Sequence, residues 1–182
     1  MWLLRWLLRC PIPNWMKRRA LRELLGCTAD AFRCTPPPLR GLPFDESLRR
    51  YALFTREMAE RVLQQEARLP RVQARLRRNA YRLGQRLRRG LGVSRMDDVM
   101  AVARALYRII GIDFRGSRLG EVVISRCFFS QFYTSLVCGV ISALDEGILA
   151  GLAGEGQLTF HRRITEGEEC CQATFVRRER EP

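Results

Sequence analysis

The chain has 182 residues, 47% of them hydrophobic, and a formal net charge of +13, with Lys17 the only lysine among 32 basic residues. That size suits one compact domain with a helical extension, and the apolar content suffices for a real core. Seven cysteines, an odd number, and an N-terminus without the pattern of a secretory leader argue against a disulfide framework and point to a reducing cytoplasm. The basic excess favours anionic partners, or marks a solvated arginine-rich surface.

The opening run Met1 to Arg9 is apolar but broken by Arg5 and Arg9 and followed by Pro11 and Pro13. It is too short and too interrupted for a spanning helix. Trp2, Leu3, Trp6 and Leu7 share one helical face, which suits either an interfacial anchor or packing on the domain. Residues 1–34 read as two short helices. Pro36, Pro37 and Pro38 end them, and residues 35–44 form a linker. Asp45 is the expected N-cap of a helix over 46–67, which Pro70 stops.

Residues 71–91 are amphipathic and basic. Arg71, Arg75, Arg78, Arg82, Arg86 and Arg89 recur at intervals of three or four and form a stripe. No acid occurs between Glu66 and Asp97. The stripe is either a contact for phosphates, on an anionic membrane or a nucleic acid, or the solvated side of a packed helix. No base-reading module is present, so sequence-specific nucleic-acid recognition is not expected. Ser94 to Asp97 resembles a capping box and opens a helix to about Ile110, closed by Gly111.

The texture then changes. Residues 121–128 read as a strand, 134–152 as one long buried helix, and 157–165 and 169–177 as a hairpin around Gly167. The fold class is therefore α+β: a helical half, then a strand-helix-strand-strand unit with a small, mostly antiparallel sheet. The expected division is 1–44 as helices and linker and 45–182 as one domain, helical over 45–111 and cysteine-bearing over 118–177.

Chemistry concentrates in that last part. Cys138, Ser142 and Asp145 share one helix face, with Glu146 beside them. A carboxyl in an apolar helix has a raised pKa unless it is paired, which suits acid–base work. Asp145 and Glu146 can equally mark an exposed edge or pair with Arg162 or Arg163. Strand alternation points Cys171 inward and Cys170 outward. Cys127, Cys138 and Cys171 can then converge as nucleophiles, as ligands or as core filler. The absence of any CxxC pair gives a metal ion no support from ligand spacing, so no cofactor is expected. His161, the only histidine, lies mid-strand and is either a partner for a thiol or a surface residue.

The segments Arg126-Cys127-Phe128-Phe129, Cys138 in an apolar helix, and Arg163 to Phe175 with Gly167, Cys170 and Cys171 together resemble the L-2-amino-thiazoline-4-carboxylic acid hydrolase family over about residues 96–177. The stretch Leu106-Tyr107 to Gly111-Ile112-Asp113 looks like that family's approach to its first strand. The ending is also distantly similar to 4-vinyl-reductase-type small-molecule-binding domains through Gly167 and Cys171, although Phe160 and Arg163 stand where metal ligands would be. The first resemblance implies hydrolysis of a carbon–nitrogen bond in a small cyclic carboxylate. Cys127, Cys138 or Cys171 would act as nucleophile, Asp145 or Glu146 as acid or base, and Arg126 or Arg163 as carboxylate clamp, with His161 and Ser142 as further substrate contacts. The alternatives are a non-catalytic module holding an apolar ligand beside the long helix, and association with membrane or nucleic acid through the arginine stripe.

Overall fold

The computed structural model describes residues 12–178. The face of Trp2, Leu3, Trp6 and Leu7, and Cys10, lie outside the described residues. The architecture is α+β. Four helices precede a sheet into which two further helices are inserted: α1 (Asn14–Phe32), α2 (Phe44–Leu63), α3 (Leu69–Leu91), α4 (Met96–Ile109), β1 (Ile112–Gly116), β2 (Glu121–Cys127), α5 (Ser135–Ile141), α6 (Ala143–Ala153), β3 (Gly156–Arg162) and β4 (Cys171–Arg177). The sheet order is β1-β2-β4-β3, antiparallel throughout.

Several boundaries differ from the sequence reading. The second of the two helices expected over residues 1–34 begins after Pro13, where the prolines place it, but runs longer than expected, over 14–32. The N-cap of α2 is Pro43, and no side chain caps it; Asp45 instead lies in the first turn, where its charge suits the helix dipole. Pro70 sits in the first turn of α3, where a missing N–H costs nothing, so it starts this helix as much as it ends the last. The α4 box is displaced by one residue: Asp98, rather than Asp97, accepts the N–H of Arg95 at 3.3 Å. Residues 112–116 form a strand that the sequence reading omits. β1 alternates buried Ile112 and Phe114 with Asp113 and Arg115, but at five residues it is too short for that period to stand out.

The expected single helix over 134–152 is two, α5 and α6, meeting at Ser142. Backbone bonds bridge the junction, from Ser142 N–H to the Cys138 carbonyl at 2.9 Å and from Glu146 N–H to the Ser142 carbonyl at 3.1 Å. The face carrying Cys138, Ser142 and Asp145 therefore survives the break. Ser135–Ala153 is long and apolar enough to cross a membrane, yet 67% of its most apolar window is buried by the rest of the fold. A helix apolar all round is what a core position demands.

α6 is the centre of the molecule. It packs most extensively against α3 and then against β3 and α4. The inner face of the sheet supplies Phe114, Val122, Ala173 and Phe175 to the same core. α2 buries a hydroxyl ladder within its apolar stripe. Thr28 of α1 donates to the Leu24 carbonyl at 2.7 Å and faces the Tyr51 hydroxyl at 3.0 Å. Thr55 donates to the Tyr51 carbonyl at 2.9 Å and pairs with the Tyr133 hydroxyl. Because Thr28 spends its proton on Leu24, Tyr51 must be the donor between them. Tyr51→Phe is expected to cost about 1 kcal/mol of unfolding free energy in a denaturant titration, the usual worth of one buried hydrogen bond.

Candidate functional site

Arg163 organises the site. It follows β3, and its backbone is extended before a short 3₁₀ turn, Ile164–Glu166. The side chain turns back over the ring of Phe160, 4.1 Å from the guanidinium carbon to the ring centroid. From there Nη1 lies 3.6 Å from Cys138 Sγ and Nη2 donates to Ser142 Oγ at 3.3 Å. Nε is 3.8 Å from Glu166 Oε1. The side chain is only 16% exposed, so these partners and the aromatic face hold a largely desolvated cation.

One turn further along α6 is Asp145. Its Oδ1 accepts the hydroxyl of Tyr107, a buried α4 residue, at 2.7 Å. Burial pushes the carboxyl up to about 6, although the Tyr107 hydrogen bond and the Arg163 charge both pull the other way. The same pairing, with burial as the larger cause, raises Tyr107 well above its ordinary range.

Cys127, Cys138 and Cys171 each lie near enough to Asp145 to feel its charge. Burial raises all three, Cys127 to about 12. Against burial, the Thr165 hydroxyl and the Arg163 guanidinium favour the Cys138 thiolate. The Thr165 Oγ1 is nonetheless buried without a partner at hydrogen-bond distance, so that contact is electrostatic proximity and not a formed bond. The Cys171 sulfur accepts the Ile164 N–H at 3.4 Å, which fixes it to the turn that carries Arg163.

Other expected site residues lie elsewhere. Glu146 faces α3 and pairs with Arg77 at 3.2 Å, in place of Arg162 or Arg163. His161 is exposed on the outer face of the sheet and bonds Thr174 Oγ1 through Nε2 at 2.9 Å. Arg126 is exposed on β2, opposite Asp113 of β1. Among the described residues, no three of His, Cys, Asp and Glu are placed to share a metal ion.

A cleft of about 940 Å³ opens beside the cluster, lined by Gly139, Ser142, Glu146, Phe160 and Arg163 with Arg77, Arg78 and Tyr81 of α3, and not by the three sulfurs. Ser142 and Arg163 are thus where the cluster meets solvent. A separate apolar cleft of about 400 Å³ lies across α1, α3, α4 and α6, lined by Trp15, Met16, Leu83, Leu87, Leu106 and Ile148, with Tyr107 reaching it as well.

The sequence reading named Tyr107 and Phe160 but gave neither a part in the site. Tyr107 carries a signal of a kind, since a tyrosine on an apolar helix face must find a partner for its hydroxyl. Phe160 matters only because Arg163 folds back on it, which no spacing rule foresees.

Comparison with family models, with curated proteins and with solved structures returns no match.

Proposed function

We propose that the C-terminal module binds a small carboxylate-bearing ligand at the mouth formed by Arg163 and Ser142, as the thiazoline-carboxylate hydrolase resemblance implies. The observation that carries this reading is the Arg163 guanidinium, desolvated on Phe160 and aimed at Cys138 and Ser142 beside an open cleft. A planar cation with donors at the edge of a cleft suits a carboxylate, which it can take in two parallel bonds.

In a hydrolytic reaction the roles divide by chemistry. Arg163 holds the substrate carboxylate. Asp145, with its carboxyl near 6, passes a proton between attacking water or thiol and leaving nitrogen. Cys138 is the thiol best placed to attack, because Arg163 lies beside it. Cys127 and Cys171 support the wall. The thiol stays protonated in the resting protein, so attack requires its proton to leave as the bond forms.

The test is calorimetric and catalytic. Small cyclic carboxylates, with 2-amino-thiazoline-4-carboxylate as first probe, are expected to bind the wild type, and Arg163→Gln to weaken binding about tenfold or more. Ring opening, if catalysed, should fall at least about a hundredfold in Cys138→Ala or Asp145→Asn, with binding retained in Cys138→Ala. Binding that ignores Arg163→Gln would remove this reading.

The apolar cleft supports a second reading, a non-catalytic site for an apolar ligand. Trp15, 64% exposed beside it, is a built-in reporter. Dodecanoate should change tryptophan emission in the wild type and fail to do so in Leu106→Arg.

A further inference from the structure

The cleft at the Arg163 mouth continues into a second one of about 680 Å³; the two share Glu155 and Arg178 at the Gly154–Glu155 turn between α6 and β3. The second cleft carries Arg88, Arg89, Arg177 and Arg178, and the first adds Arg77, Arg78 and Arg163, the last beside Glu166 outside the lining. Two carboxylates in the lining stand against these seven cations. Glu146 is committed to Arg77, and Glu155 remains. Among the described residues, no carboxylate lies within ion-pair distance of Arg78, Arg88, Arg89, Arg177 or Arg178.

The cations are built into the walls. The Arg88 guanidinium lies over Gly154, where an added Cβ would come within 2.2 Å of its Nη1, and its Nε donates to the Val93 carbonyl at 3.4 Å. Gly154 also has φ +99°, so glycine there serves both the turn and the arginine. Arg178 is tethered to Gln157 Oε1 at 3.5 Å. Uncompensated like charges along a concave surface repel one another and concentrate a polyanion.

The helical stripe expected from spacing is only partly this surface. Arg86 leaves it to pair with Glu23 at 3.9 Å. Arg75 is half-buried with an unpartnered Nε, crowded by Arg33, Arg68 and Arg78. The tertiary fold replaces them with Arg177 and Arg178 from β4 and the residue beyond it.

We propose that the joined clefts bind a single-stranded polynucleotide through its phosphates, without reading its sequence. A flexible phosphodiester chain can follow a cleft and reach Arg88 on its wall, whereas a bilayer surface meets only the rim. Of the aromatic neighbours, Phe160 is covered by Arg163, and Tyr81 is half-buried and held to the wall by its hydroxyl, which donates to the Gly154 carbonyl at 2.6 Å. This leaves phosphate contact as the recognition.

The test measures binding of a fluorescent uridylate oligomer, of about 20 nucleotides, to the full chain against salt concentration. The variant Arg78→Gln/Arg89→Gln/Arg177→Gln is compared with Arg22→Gln/Arg104→Gln/Arg118→Gln, which loses the same charge from exposed positions lining neither cleft. The cleft variant is expected to bind about tenfold more weakly near 0.1 M salt, with the slope of log K against log salt smaller in magnitude by about 2, from about 0.7 per phosphate contact. The control should stay within about twofold. Thermal melts verify folding; should the cleft triple fail to fold, Arg89→Gln and Arg177→Gln alone should each reduce the slope by about 0.7. Equal losses in both triples, or no binding at low salt, overturn the proposal. So does displacement of the oligomer by phosphatidylserine vesicles whose own binding falls equally in the cleft triple, which would mark a membrane surface.

Discussion

Gly147→Val and Gly151→Val are each expected to lower the unfolding free energy by about 3 kcal/mol or more, and the double variant to leave the chain unfolded. The reason lies in how closely α3 and α6 approach. A Cβ on Gly147 would come within 2.3 Å of the Arg77 carbonyl oxygen, and one on Gly151 within 2.3 Å of the Tyr81 carbonyl oxygen. On the facing helix, a Cβ on Gly84 would meet the Ile148 carbonyl oxygen at 2.5 Å. These obstacles are backbone atoms, which cannot swing aside as a side chain can, so the helices must separate. Separation opens voids around Leu76, Ala80, Leu149 and Leu152, all fully buried at this contact. Gly26 of α1 provides the contrast, because a Cβ there meets nothing within 4 Å. Gly26→Ala should stabilise by about 0.5–1 kcal/mol through helix propensity alone. Chemical denaturation of the three single variants checks both signs.

Asp145→Asn is expected to stabilise the protein at neutral pH by roughly 2–3 kcal/mol and to have little effect below about pH 4. The carboxyl is raised from 3.8 to about 6, first by burial. Between those values the folded protein holds a proton that the unfolded chain has released, so stability falls as pH rises across that window. Below it the carboxyl is neutral in both states and the penalty vanishes. Asparagine keeps an oxygen to accept the Tyr107 hydroxyl and cannot ionise, so it removes the pH-dependent cost while sparing the hydrogen bond. Melting temperatures of wild type and variant should therefore coincide below about pH 4, diverge between about pH 4 and 6, and stay apart above that. A variant destabilised at neutral pH would show that the charged Asp145 is worth more to Arg163 than burial costs it. A stabilising loss at a group that chemistry would need is the usual mark of a functional residue.

Much of the site's raw material was legible along the chain. Helical spacing placed Cys138, Ser142 and Asp145 on one face, and the structure keeps them there across the break at Ser142. Alternation in the last strand pointed Cys171 inward, where it is 8% exposed. Other positions were not legible. Glu146 is adjacent to Asp145 in sequence, yet 100° of helix rotation turns it to Arg77 on α3. Arg163 reads as one more strand-end arginine until the turn Ile164–Glu166 reverses it onto Phe160. Strand β1 was missed because five residues are too few for its alternation to stand out.

Local sequence thus determined the element types, the amphipathic faces and the inventory of cations, thiols and acids, since these follow from dihedral preference and side-chain period. Which of them meet was decided by tertiary packing. The packing of α4 and of the turn after β3 against α6 places buried Asp145 near Tyr107 and Arg163, and the return of β4 beside the end of α3 assembles arginines nearly ninety positions apart into one cleft. Burial and long-range proximity are properties of the closed fold, and no local period encodes them.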